Sequence, residues 1–266
     1  MKRKPQILFL SHGGGPMPLL GDTGHREMVE TLKTITTKLR KPSAILVISA
    51  HWEEALPTVT SAGQPSLIYD YYGFPPAAYE ITYPCPGEPA LAQEIHKCLT
   101  GSGMACDLSA KRGFDHGLFI PLKIMYPSAD IPCVQLSLQN SLNPAEHIAL
   151  GEALQRLDYD DLLVIGSGFS FHNMKAFFSP TTNEIRSLNE AFEAWLQDTL
   201  TNKTFTEEQR KETLVAWEDA PGARFCHPRE EHLLPLHVCY GLARSACSEA
   251  LSLDILNKKS SMYLWL

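Results

Sequence analysis

A chain of 266 residues, 44% hydrophobic and 20% charged, has the composition of a folded globular protein and the length to bury a sizeable core. A formal net charge of −7 argues against nucleic acid as a partner, because a phosphate backbone demands a basic surface. No apolar run approaches the ~20 residues of a membrane span, and the run Ile7 to Leu10 behind the basic Met1-Lys2-Arg3-Lys4 is too short for a signal peptide.

The first apolar run, Gln6 to Leu10, reads as a buried strand. It leads into Ser11-His12-Gly13-Gly14-Gly15-Pro16, and the Gly- and Pro-rich loop to Gly24 lets the backbone approach a ligand closely. Thr23 is placed to cap a helix from Arg26 to Leu39 with Met28, Leu32, Ile35 and Leu39 on its apolar face. Lys38, Arg40 and Lys41 suit the C-terminal dipole, and Pro42 stops the helix. Ala44 to Ala50 is a second strand, apolar on both faces, ending at Ser49-Ala50-His51-Trp52. Strand, helix and strand joined by short loops predict an α/β fold. The chain reads as one domain, 1–266, with a central, mostly parallel sheet flanked by helices.

Residues 53–89 look irregular. Tyr69-Asp70-Tyr71-Tyr72-Gly73-Phe74-Pro75-Pro76 is aromatic and turn-rich, either a functional loop or a surface cover. Tyr79 to Tyr83 alternates like a short strand, and Glu88 to Leu99 reads as a helix. Arg112-Gly113-Phe114-Asp115-His116-Gly117 opens an apolar helical stretch to Met125. Ile131 to Leu138 is a strand, Pro144 to Leu157 a helix, and Leu162 to Ile165 a strand leading through Gly166-Ser167-Gly168 to His172. Amphipathic helices follow over Glu184 to Leu200 and from Thr206 to near Trp217. Pro228, with Glu230 and Glu231 behind it, opens a helix towards Ala246 that Pro235 bends in its second turn. Ser261 to Leu266 is a last, edge strand. The seven cysteines form no C-x-x-C pair, and their odd number predicts reduced, buried thiols in a cytoplasmic protein.

The ten histidines separate by setting. His25, His96 and His147 lack any small-residue surroundings and read as surface or core residues; His227 and His237 read as structural. His12 and His51 each follow a buried strand, and His172 lies just beyond a third. In open α/β sheets the carboxyl ends of the strands are where ligands bind. A single such histidine is more often a hydrogen-bonded core residue. Two of one design point to a metal site, since neutral imidazole is the commonest metal ligand. His116 and His172 sit in glycine-containing loops, and His232 in the first turns of the last helix. Glu53 lies two residues beyond His51, where the strand gives out. Glu231 is about 100° round a helix from His232. Both read as solvated or capping groups.

Other chemistries fit poorly. His12-Gly13-Gly14-Gly15 is similar to an esterase oxyanion loop, but no G-x-S-x-G pentapeptide accompanies it. There is no Walker A sequence, no G-x-G-x-x-G and no H-E-x-x-H.

In chain order the motifs are Ser11-His12-Gly13-Gly14-Gly15-Pro16, Ser49-Ala50-His51-Trp52, Gly73-Phe74-Pro75, Tyr83-Pro84-Cys85-Pro86-Gly87, Gly113-Phe114-Asp115-His116-Gly117, His172-Asn173 and Glu231-His232-Leu233-Leu234-Pro235-Leu236. Together they resemble the DOPA 4,5-dioxygenase family, a branch of the class III (LigB-like) extradiol aromatic ring-opening dioxygenases, over nearly the whole chain. The resemblance implies a single α/β domain and one divalent metal per chain, Fe(II) for activity, with Zn(II) plausible in the isolated protein. It implies His12, His51 and His232 as metal ligands, with His172 as acid–base residue or fourth ligand. His116 matches a histidine outside the ligand set that faces substrate and oxygen. His232 stands where more distant relatives use a glutamate, so three neutral ligands replace a two-histidine, one-carboxylate set. The implied partners are a small aromatic diol and O2, with no nucleic acid and no membrane, in a monomer or small homo-oligomer. A zinc-loaded relative of the same fold with hydrolytic, unknown or no activity is the alternative, since fold does not dictate function.

Overall fold

A computed structural model describes residues 4–266; the Met1–Arg3 part of the basic N-terminal run lies outside the described residues. In chain order the strands are β1 (Gln6–Ser11), β2 (Ala44–Glu54), β3 (Thr58–Thr60), β4 (Asp107–Ser109), β5 (Cys133–Gln139), β6 (Leu162–Gly168), β7 (Glu249–Ile255) and β8 (Lys258–Trp265). The helices are α1 (Arg26–Lys38), α2 (Pro89–Gly101), α3 (His116–Met125), α4 (Pro144–Leu154), α5 (Met174–Phe177), α6 (Asn183–Thr201), α7 (Glu207–Val215), α8 (Ala223–Cys226) and α9 (Leu234–Ala243).

All eight strands form one sheet in the order β4-β3-β5-β2-β6-β1-β8-β7. Its centre, β5-β2-β6-β1, is parallel, and β8 and β7 close one side antiparallel. The central strands are apolar on both faces because helices cover both. On one face Leu91 and Ile95 of α2, Ile148 and Leu150 of α4, Phe192 and Leu196 of α6 and Leu236 and Val238 of α9 pack against Leu46, Ile48 and Val164. On the other, Met28, Leu32 and Ile35 of α1 and Leu118, Phe119 and Leu122 of α3 pack against Leu8, Leu10, Ile45 and Val47.

The architecture matches the expected one, with local corrections. Tyr79 to Tyr83 is not a strand; a 3-10 turn, Pro76–Tyr79, occupies its start. Thr23 opens a short 3-10 turn, and no side-chain cap forms there or at α1, since Asp22 and His25 bond each other at 2.7 Å. The last strand is not an edge: β8 pairs with β1 and β7, and β7 is the outer strand. No helix begins at Pro228. The His232 carbonyl accepts from the Phe169 N–H (2.9 Å), which removes it from a helical ladder. The helix α9 therefore starts at Leu234, and Pro235 lies in its first turn, where its missing N–H costs nothing.

Candidate metal centre

The carboxyl ends of β1, β2 and β6 bring five histidines together. His12 follows β1 directly. His51 lies within β2, not after it as expected. The β2–β5 register shifts between Ile48 and Glu53, so Ser49–Trp52 form an irregularity that re-aims His51. The bulge is held from within, the His51 N–H donating to Ser49 Oγ (3.1 Å). His116 is the first residue of α3, whose N-cap Asp115 accepts from the Gly117 N–H (3.0 Å). Gln135 Nε2 also donates to Asp115, and Ser49 Oγ donates to it at 2.8 Å, tying α3 to β5 and β2. His172 lies beyond β6, and His232 in the turn before α9.

The rings of His12, His51 and His232 form a nearly equilateral triangle, with centroids 4.8, 5.2 and 4.9 Å apart. His116 lies against this triangle, 3.9 Å from His51 and 5.4 Å from His12. His172 stacks on His232 at 3.4 Å and 15°. By donor-atom distance alone, His12, His51 and His116 form one compact group and His172, Glu231 and His232 another. His12, His116 and His232 are buried, whereas His51 and His172 are each about one-fifth exposed.

Four of the five rings, His12, His116, His172 and His232, are tied back through Nδ1. Ser167 Oγ donates to the Gly117 carbonyl (2.5 Å), so it accepts from His12 Nδ1–H at 3.0 Å. Glu231 Oε1 accepts from His232 Nδ1 (2.8 Å) and lies 3.2 Å from His172 Nδ1. Asp70 Oδ1 accepts from His116 Nδ1 (2.8 Å), and Asp70 Oδ2 is 3.7 Å from His51 Nδ1. Burial, then the neighbouring histidines, push His12 and His51 well below the usual imidazole range. Burial and then His172 lower His232 to about 3, although Glu231 opposes this. Burial acts to raise Glu231, but hydrogen bonds from His172 and His232 hold its carboxyl well below the usual range.

These residues fit a divalent metal. His12 carries its proton on Nδ1, which leaves Nε2 a lone pair, and His12 Nε2 faces His51 Nε2 at 3.0 Å. Adjacent ligands on a metal with bonds of ~2.1 Å sit ~3.0–3.4 Å apart, so the spacing suits two donors on one cation. His12, His51 and His232 can hold it: burial favours the neutral imidazole in each, and the Nδ1–H groups of His12 and His232 make the hydrogen bonds that orient a ligating imidazole.

Glu231 is a correction to the sequence reading, for it is a hydrogen-bonded partner of two site histidines and not a solvated or capping residue. The tight turn before α9, absent from the expected helix, brings it there. Glu53 stays outside the cluster and accepts from Arg229 through both oxygens (2.6 and 2.7 Å). Asp70 and Ser167 were missed; an acidic residue amid Tyr69 to Phe74 was the available signal for Asp70. His25 is structural, its Nε2 accepting from the Gly14 N–H (2.9 Å) to brace the loop after His12. His227 bonds the Ser170 carbonyl (2.7 Å) and His237 the Leu214 carbonyl (2.9 Å), both in the interior.

Such a fold, with histidines converging at strand ends, defines a metal-site α/β protein. A family model described as the catalytic LigB subunit of aromatic ring-opening dioxygenase matches residues 6–262. The chain is 38% identical over 257 residues to dioxygenase tasH of Hapsidospora irregularis, covering 89% of this chain and 78% of that one. It is 39% identical over 239 residues to the 4,5-DOPA dioxygenase extradiol of Beta vulgaris, covering 90% and 87%. Its fold matches the crystal structure of an uncharacterized protein from Escherichia coli K12 with a TM-score of 0.78 and 28% identity, over 99% of this chain and 100% of that one. The chain belongs to the LigB family of aromatic ring-opening dioxygenases and is an extradiol ring-opening enzyme.

Proposed function

We propose that the protein opens the ring of a DOPA-like catechol beside its diol, using O2 and one divalent metal held by His12, His51 and His232. The observation that carries this reading is the near-equilateral triangle of those three rings, in which the Nε2 atoms of His12 and His51 face each other at 3.0 Å. His116 is the less suitable third ligand, because its ring is displaced towards His51. Relatives named 4,5-DOPA dioxygenase extradiol motivate the substrate class. The seven cysteines favour a cytoplasmic enzyme.

Fe(II), when bound, would supply the electron transfer between diol and O2 that the side chains cannot. The chain's residues handle position and protons. Buried His12 and His232 keep water from one side of the site. His172 accepts a proton from a substrate hydroxyl at its free nitrogen, while Glu231 takes the hydrogen bond from its Nδ1. Its parallel stacking on His232 supports the base role over a fourth ligand, since two ligands of one metal need converging lone pairs. Phe169, 6.2 Å from the His12 ring, and Tyr71, 5.7 Å from the His116 ring, set aromatic rings beside the histidine cluster.

The test is anaerobic loading of metal-free protein with Fe(II) or zinc, then oxygen uptake with DOPA and other catechols. Uptake and a yellow ring-opened product with Fe(II) alone are expected. No uptake from protein shown to hold Fe(II) would overturn the reading. His172→Ala is expected to keep its metal while turnover falls by at least ~100-fold.

A further inference from the structure

The proposed ligand triangle leaves one carboxylate without a purpose. Asp70 lies in the aromatic loop, outside every regular element. Its Oδ1 accepts from both the backbone N–H (3.1 Å) and the ring Nδ1–H (2.8 Å) of His116. The backbone bond fixes where the carboxylate sits, and the ring bond fixes which nitrogen carries the proton. With Nδ1 protonated and engaged, Nε2 of a neutral imidazole is an acceptor.

The loop is clamped on both sides of Asp70. The Ile68 N–H donates to the Phe114 carbonyl (2.8 Å), Tyr69 Oη to the Ile81 carbonyl (2.7 Å) and Tyr71 Oη to the Ala78 carbonyl (2.6 Å). The Tyr71 ring meets the His116 ring edge-on at 5.7 Å. Such bracing is what a group that must hold a second ring within a few tenths of an ångström requires. The construction repeats across the cluster, where Glu231 stands behind His172. Two carboxylate-backed imidazoles therefore lie outside the ligand triangle, and a vicinal diol offers two hydroxyls.

We propose that Asp70 is a positioning residue that holds His116 in its Nδ1–H tautomer, so that His116 Nε2 accepts a hydrogen bond from one hydroxyl of a vicinal diol while His172 serves the other. The proposal rests on the ring-opening reading above. It makes the aromatic loop part of diol recognition, and it assigns His116 an acceptor role that any substitution breaking the Asp70 bond would impair.

The test uses full-length zinc-loaded protein, since zinc has no redox chemistry and the probe is not consumed. Binding of 4-nitrocatechol is followed by its absorbance, and nitrogen-15 NMR of the histidine rings reports the His116 tautomer. Asp70→Ala is expected to weaken 4-nitrocatechol binding roughly tenfold and to abolish the pure Nδ1–H pattern at His116. His116→Ala is expected to weaken it similarly, and adding Asp70→Ala to it to cost little more, because both hydrogen bonds of the aspartate go to His116. Asp70→Asn preserves the loop's shape and serves if Asp70→Ala does not fold; its amide is able to donate to Nδ1, so the pure pattern is again expected to be lost. An unchanged tautomer in the folded variant, or additive losses in the double variant, would overturn the proposal. Metal-bound wild type that fails to bind 4-nitrocatechol would instead overturn the ring-opening reading, a different result from binding that ignores Asp70.

Discussion

Glu231 supplies, one hydrogen bond away, the negative charge that the three proposed imidazole ligands lack. It sits beside His232 in sequence, yet a continuous helix would have aimed the two side chains ~100° apart. In the turn before α9 its Oε1 meets His232 Nδ1 at 2.8 Å. A carboxylate there makes the imidazole a better donor, so Glu231→Gln is expected to weaken metal binding about 10–100-fold in a chelator competition. A second buried carboxyl lies away from the metal site. Burial raises Glu193 to about 7, although Ser261 and Ser170 bond it. A carboxyl with a raised folded-state value stabilises the fold fully below its unfolded value of 4.5 and loses that contribution as pH rises through 7. Glu193→Gln is therefore expected to be more stable than wild type at pH ~8.5, by up to roughly 3 kcal/mol, with the gap closing by pH ~5 in urea unfolding.

At the scale of elements, the site depends on where β6 meets the turn before α9. A Cβ added at Gly168 would collide with the His232 carbonyl oxygen, the group that bonds the Phe169 N–H. Gly168→Ala is expected to displace His232, with a loss of at least ~2 kcal/mol in stability and of stoichiometric metal by elemental analysis. The bulge in β2 is the second such device. The run Ala44 to Ala50 was legible as a strand, but alternation alone assigns His51 and Glu53 to one face. The register shift breaks that rule, leaving His51 in the cluster and Glu53 on Arg229. The outer strand β7 is absent from the sequence reading although its signal is there, Leu251, Leu253 and Ile255 alternating with Ser252 and Asp254. β3 and β4 were not, because three residues carry too little periodicity to separate from loop.

For the whole molecule, the buried histidines govern the acid limb of stability. His227 is lowered to about 3 and His237 to about 4, chiefly by burial, and His12 and His51 fall in the same direction. A histidine with a depressed folded-state value stabilises the fold above its unfolded value near 6.5, and that contribution drains away as pH falls towards the folded value. Metal-free protein is expected to lose Tm steadily from pH ~6.5 to pH ~4, each such histidine adding up to ~1.4 kcal/mol per pH unit. Bound metal should raise Tm at pH ~7.5, by about 2.7 kcal/mol of stability at a hundredfold excess over Kd, and chelation should remove that increment. The metal's contribution should vanish faster on acidification, because protons compete for the same nitrogens.

What the sequence determined by itself was the parallel centre of the sheet and the candidates. Long apolar runs ending in small residues mark buried parallel strands, and the histidines behind them mark the edge where ligands bind. The order of motifs carried the family. Tertiary structure alone decided which polar groups stand behind the rings. Asp70 reaches His116 from a loop 46 residues away, Ser167 reaches His12 from another strand, and Glu231 reaches two rings only because a carbonyl is diverted to Phe169. Such hydrogen bonds follow from register shifts, turns and close backbone approaches, which leave no period in a sequence.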